Sequence, residues 1–500
     1  MKLSRILLLL ALPTALVVPS AVLGDDYDDF LKKAASDYDA FRDESQAGYE
    51  DFRAKANKEM ADFMARPWEF HNSKPPVPAP PDPSPAPVII PDDDPYDIND
   101  NPVTIVIDTV VTVPDAVPQP KPVVPIIRDD IKLPPVDFAF YGTPVKVSAA
   151  DLSAWKPAGS SERDLARAFR ELTSLPTNNM IDDCLKMRSR LSLPDWAYIV
   201  AVQGLAARLK PSDPNAQSLL VGFILSQSGY KMRYALDNSG LLHVLFAVDG
   251  WIYDRAYYYL DGARYYQLTK PASDGCHICD FSYPGEQAVS LGMSTLPRLD
   301  YKAGHSRKVT AHYHPELTAT VTPNQNLIDF FGDYPEGTLD DTPESKWVIY
   351  ANTPASPEVR DNLYPALRAA VKGKSELEAV NILLHFCQSF PYGYDSEIWG
   401  RDRTFFVDES WHYPKSDCED HAVQFARVVR DILGLKVALV YYPGHLAAAV
   451  RFTDPTVTGD YISHRSGRYI ICDPTIFYGN VGRTMRGMNN GSAKLILLDR

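Results

Sequence analysis

The segment Ser416-Asp-Cys-Glu-Asp-His-Ala422 carries the residues best suited to covalent chemistry. Cys418 opens a run in which Ala422, Phe425, Ala426, Val429 and Leu433 share one helical face. A cysteine in the first turn of a helix sits where backbone N–H groups converge and the dipole is positive, which favours the nucleophilic thiolate. His445 stands 27 residues on, in the β-like run 444–450, and Asp473 a further 28 on, closing the run 468–473. Cysteine, histidine and aspartate can act as nucleophile, base and orienter in acyl transfer. Cys418, His445 and Asp473 are therefore candidate catalytic residues. His421, one helical turn from Cys418, is an alternative base. It would share the cysteine's helix and leave Asp473 without a role.

The surrounding chain must place these three side chains together. Its 500 residues suggest two or three domains plus extensions, and 45% hydrophobic content suffices for ordinary cores. A net charge of −14 disfavours broad nucleic-acid binding, which needs a cationic surface. Residues 1–24 read as a secretory signal peptide: a basic start, an apolar run from Ile6 to Val18, and small residues before Asp25. The expected location is periplasmic or secreted. Residues 25–72 carry an eleven-residue repeat, with Tyr27, Tyr38, Tyr49 and Met60 in one series and Phe30, Phe41, Phe52 and Phe63 in another. Eleven residues complete three helical turns, so both series form one stripe on an amphipathic helix. That stripe suits packing on the protein's own body, self-association or docking to a partner protein. Residues 73–135 are proline-rich and predict an extended linker, with strand-like runs at 103–107 and 110–113. Globular sequence follows, as 136–300 and 301–500.

These two globular stretches resemble each other. A helix at 215–228, a run at 229–235 and a run at 243–248 parallel the helix after Cys418, the run 434–440 and the run 445–450. Gly262-Ala-Arg-Tyr-Tyr266 parallels Gly467-Arg-Tyr-Ile470, and 195–200 stands where 377–382 stands. A degenerate internal duplication is the reading. The first copy lacks the chemistry: Asp213 aligns with Cys418 and Thr269 with Asp473, leaving only His243.

Other reactive residues carry less. Cys387 and Cys472 lie in apolar runs and read as small core hydrophobes. Cys276-His-Ile-Cys279 is a lone CxxC, either a local disulfide or two thiols, without the second ligand pair zinc needs. His312 and His314 would share one face of a strand, but no third ligand is evident.

The pieces Trp347-Val-Ile-Tyr-Ala351, Phe390-Pro-Tyr-Gly-Tyr394, Asp417-Cys-Glu-Asp420, Pro443-Gly-His445 and Cys472-Asp-Pro-Thr475 resemble, in order and spacing, the transglutaminase-like superfamily of papain-type cysteine enzymes. The Asp-Cys-Glu-Asp version is similar to bacterial transglutaminase-like cysteine proteinases, and the whole arrangement to exported proteins of Bacteroidota-type bacteria. The resemblance implies an α+β papain-like fold, duplicated with a degenerate first copy and preceded by the helix and linker. It also implies Cys418 as nucleophile, His445 as base and Asp473 as orienter, acting on a protein or peptide. For Asp417 and Glu419 it suggests Ca²⁺ ligation; the alternative is that these acids, with Asp420, simply cap the helix. Trp399, Trp411 and Tyr413 are candidates for a second oxyanion donor beside the Cys418 N–H. Hydrolysis of peptide or amide bonds is the favoured outcome. A non-catalytic peptide-binding assembly protein of the cell envelope is the alternative, and amine transfer a third.

Overall fold

The computed structural model describes residues 26–79, 102–114, 118–269 and 275–499. The signal-peptide reading of 1–24 lies outside the described residues. In chain order the elements are α1 (Asp26–Met64), β1 (Glu69–Asn72), β2 (Thr104–Ile105), β3 (Thr109–Val111), β4 (Pro135–Phe140) and β5 (Thr143–Ser148). Four helices follow, α2 (Glu162–Ser174), α3 (Asn178–Arg190), α4 (Asp195–Leu209) and α5 (Pro214–Gln227). Then come β6 (Met232–Leu236), β7 (Leu242–Val248), β8 (Tyr257–Leu260), β9 (Ala263–Gln267) and β10 (Gly275–Cys279). A hairpin of β11 (Arg307–Thr310) and β12 (Thr318–Val321) leads into α6 (Gln325–Gly332), α7 (Ser345–Asn352), α8 (Pro357–Val371) and α9 (Glu376–Cys387). The last third holds α10 (Asp395–Ile398), α11 (Val407–His412), α12 (Cys418–Leu433), β13 (Lys436–Tyr442), β14 (His445–Arg451), β15 (Tyr461–His464), β16 (Gly467–Cys472) and β17 (Lys494–Leu497).

The class is mixed α+β, as the sequence predicts. The described residues fall into two compact units, one ending at Lys55 and one running from Ala56. In the first, Tyr38, Phe41, Tyr49 and Phe52 of the repeat are exposed. In the second, Met60 is buried and the Phe63 ring packs 5.8 Å from that of Phe281.

Two curled sheets organise the second unit. One runs β1-β10-β6-β7-β9-β8, the other β2-β15-β16-β14-β13-β17-β3. Without their N-terminal additions the orders coincide: β10-β6-β7-β9-β8 matches β17-β13-β14-β16-β15. The helices match too. α5 packs on β6 and β7 with α4 behind it, and α12 packs on β13 and β14 with α9 behind it.

Two short strands of the proline-rich stretch are built into one sheet. β2 pairs with β15 at one edge of the seven-stranded sheet and β3 with β17 at the other. A flat sheet would hold those edges six strand spacings, about 29 Å, apart. The four steps from Ile105 to Thr109 reach at most about 14 Å. The sheet must therefore curl until one short segment bridges its edges. Its inner face is the apolar cluster of Ile105, Ala438, Val440, Tyr442, Ala447, Ala449, Ile462 and Ile471.

Local chemistry sets the site's scaffold. Ser375 and Glu378 form a reciprocal cap at the start of α9. α12 buries Ala422, Phe425, Ala426 and Val429 and stops at Gly434, whose φ of +68° favours glycine. Tyr442 pairs with His445 across Pro443-Gly444, and Gly444 has φ +86°. That tight turn delivers His445 to the first position of β14.

One sequence reading is corrected and one open alternative is decided. His312 and His314 do not share a strand face: they sit in the turn between β11 and β12, which Leu317 N closes by donating to the His314 carbonyl at 2.7 Å. Cys276 and Cys279 do not bridge. Three residues apart on β10, they point to opposite faces, into separate apolar clusters.

Candidate active site

Cys418 is the first residue of α12 and is fully buried. Its sulfur donates to Glu419 Oε2 at 3.3 Å. Burial drives the thiol well above its ordinary range, and the Glu419 and Asp417 carboxylates push it further. The N–H of Leu446, which lies against the sulfur, pulls the other way. The resting sulfur is thus a neutral thiol beside the residue that follows His445.

His445 and Asp473 come together. His445 Nε2 is 2.7 Å from Asp473 Oδ2, and both side chains are buried. His445 Nδ1 is buried with no hydrogen-bond partner among the described residues. Asp473 follows Cys472, which pairs with Ala448 of β14, so the sheet itself sets the approach. The other carboxylate oxygen accepts from Thr475 N at 3.0 Å and Thr475 Oγ1 at 2.7 Å. Burial raises the Asp473 carboxyl, but His445 and Thr475 more than offset it and leave it below the usual carboxylate range. Such an ionised aspartate holds the imidazole in one orientation and supports its protonated form.

His421 lies on the same helix against the rings of Phe390 and Tyr392. Burial lowers it to about 4, so it stays neutral. Of the oxyanion candidates, Trp411 is core, its ring 5.0 Å from Phe390. Trp399 and Tyr413 enclose the Arg403 guanidinium at 4.3 and 5.0 Å.

The acids around Cys418 form a cluster with a member the sequence reading missed. Oxygens of Asp395, Asp417 and Glu419 lie within 4.8 Å of one another, all buried. Asp395 comes from α10, and its Oδ2 accepts from Arg403 N at 2.6 Å. Asp420 stands apart, accepting from the Phe405 and Asp417 N–H groups at 2.7 and 3.3 Å. Burial and the neighbouring Asp417 raise both Glu419 and Asp420 well above the ordinary range. Lys346 of α7, ion-paired with Asp402, is the cation acting on Glu419. Glu419 Oε1 has no hydrogen-bond partner among the described residues. An all-oxygen, carboxylate-rich set with such an orphaned acceptor fits a hard divalent cation such as Ca²⁺.

In the other curled sheet His243 is bonded at both nitrogens, to Asp237 Oδ2 at 2.9 Å and Thr269 Oγ1 at 3.0 Å. The alignment of Asp213 with Cys418 shifts by one. Asp213 caps α5 as Asp417 precedes α12, and Pro214 takes the cysteine's place.

No family model matches this chain, and neither the curated proteins nor the solved structures include a match. The function must be argued from the site itself.

Proposed function

We propose that this protein is an exported cysteine-dependent acyl-transfer enzyme, a protease or amidase acting on protein or peptide through Cys418, His445 and Asp473. The observation that carries the reading is the 2.7 Å His445–Asp473 hydrogen bond, with Nδ1 left without a partner and the next residue's N–H against the Cys418 sulfur. Nδ1 takes the thiol proton as sulfur attacks the acyl carbon. The imidazolium returns the proton to the leaving amine, and water releases the acid from the thioester. The Cys418 N–H at the helix start is the first oxyanion donor. Asp395, Asp417 and Glu419 would hold Ca²⁺, which supplies charge neutralisation beside the thiol. The matching strand orders support a papain-like unit present twice, with the first copy degenerate. An exported location rests on the apolar run at residues 6–18.

One observation favours the alternative of a non-catalytic peptide-binding envelope protein: the thiol bonds to Glu419 and is held neutral. Alkylation decides between them. Iodoacetamide should modify Cys418 in calcium-loaded protein at neutral pH faster than a free thiol, and His445→Ala should slow it at least tenfold. Labelling at or below the free-thiol rate, with no peptide cleavage, would sink the enzyme reading.

A further inference from the structure

A second site lies outside the cysteine cluster. The loop between β7 and β8 and the segment after α6 enclose a cavity of about 500 Å³, lined among others by Tyr253, Arg255, Asp333, Glu336 and Arg401. That volume is typical of small-molecule sites. The loop is fixed by its backbone: Tyr253 N donates to the Glu336 carbonyl at 3.0 Å and Asp254 N to the Val77 carbonyl at 2.9 Å. Asp254 is an exposed residue held at φ +55°. Such strain at a non-glycine position persists where surroundings enforce it, often beside ligands.

The polar groups of the wall are unevenly satisfied. Glu336 accepts from Arg401 Nη1 at 2.9 Å, and Asp333 accepts from the Tyr141 hydroxyl at 2.9 Å. These two acids are therefore engaged, and Asp254, the third acid of the lining, is exposed. Arg255 is not so engaged. Its guanidinium lies over the Trp196 ring, 5.7 Å from the centroid, and its Nη1 is buried with no hydrogen-bond partner among the described residues. The ionisable group acting on it is the Tyr266 phenol, and burial pulls its pKa down. The Tyr253 hydroxyl is likewise buried without a partner among the described residues. A largely desolvated guanidinium without a carboxylate is costly unless an anion completes it.

We propose that this cavity binds a small oxyanion, the carboxylate or phosphate group of a molecule that fits within it, with Arg255 as the anchor and the Tyr253 hydroxyl as a second donor. The guanidinium fork matches both groups, and the Trp196 ring fixes its plane. The site goes beyond the proposed hydrolase and does not rest on it.

The test titrates the full-length protein with inorganic phosphate and, separately, with succinate, against chloride at equal ionic strength. Calorimetry and the thermal midpoint are the readouts. Saturable binding of either anion is expected, weakened at least tenfold in Arg255→Gln and less in Tyr253→Phe. Arg255→Lys, which keeps the charge but not the fork, should retain weak binding and guards against a misfolded Gln variant. Binding of phosphate alone assigns a phosphate-bearing ligand, and of succinate alone a carboxylate-bearing one. Failure of both to saturate above chloride, or unchanged binding in folded Arg255→Gln, overturns the proposal.

Discussion

Asp473 holds His445 through Oδ2 and Thr475 through Oδ1, so one buried carboxylate fixes both the imidazole and its own rotamer. Replacing it by asparagine keeps the shape but removes the charge that supports a protonated ring. In the proposed enzyme Asp473→Asn should lower kcat by up to about four orders of magnitude. Thr475→Val, which leaves the His445 bond in place, should cost far less. Steady-state hydrolysis of a peptide substrate compares them, and equal losses would contradict the assigned orienting role.

Calcium should stabilise the protein through the acid cluster. At a hundredfold excess over Kd the gain is about 2.7 kcal/mol, readable as a rise in thermal midpoint. Asp395→Asn should weaken the response, because Asp395 joins Asp417 and Glu419 from a separate helix. The same rise in this variant as in wild type would remove Asp395 from the ligand set.

Asp408 gives a pH signature. It is buried in α11, where burial raises its carboxyl from 3.8 to about 6 even though it accepts from Ser356 N. The folded state therefore binds this proton more tightly than the unfolded chain. The resulting stability is complete below the unfolded value and is lost as pH rises through about 6. A shift of this size is worth on the order of 3 kcal/mol. Asp408→Asn lacks this titration, so the stability difference between variant and wild type should change by about that amount across the window. His385 and His421, both lowered to about 4 mainly by burial, oppose the trend in both proteins and cancel in the comparison. Urea midpoints measured between pH 4 and 7 provide the test.

Ile105 is 1% exposed, inside the curled sheet. Ile105→Ala should destabilise by roughly 2–4 kcal/mol, whereas Val106→Ala, at an exposed neighbour, should cost less than about 0.5 kcal/mol. Equal urea midpoints for the two variants would mean that the segment contributes nothing to the sheet.

Much of the cysteine half is legible in the sequence because its signals are local. The 3.6-residue spacing of Ala422, Phe425, Ala426 and Val429 marks α12, and Pro443-Gly444 between apolar runs marks the turn that places His445. Asp-Pro-Thr475 announces a carboxylate that bonds two residues ahead. Asp395 was not legible. It lies 22 residues before Asp417 in a short helix without periodicity, and only the fold brings the two together. The His312-Tyr-His314 alternation mimics a strand, but tertiary packing makes it a turn, with His314 stacked on His385 at 5.8 Å. The two strand-like runs in the proline-rich stretch could be found from β-branched content. Their pairing with opposite edges of one sheet could not, since partners more than 350 residues away leave no local trace.

That pairing has a consequence for how the chain matures. β3 waits for β17, which leaves the ribosome some 380 residues later, so the curled sheet cannot close before that strand has emerged. Contacts this distant in sequence form slowly and leave edges unsatisfied meanwhile. Until those intervening residues are made, the early strand has no ladder partner along that edge.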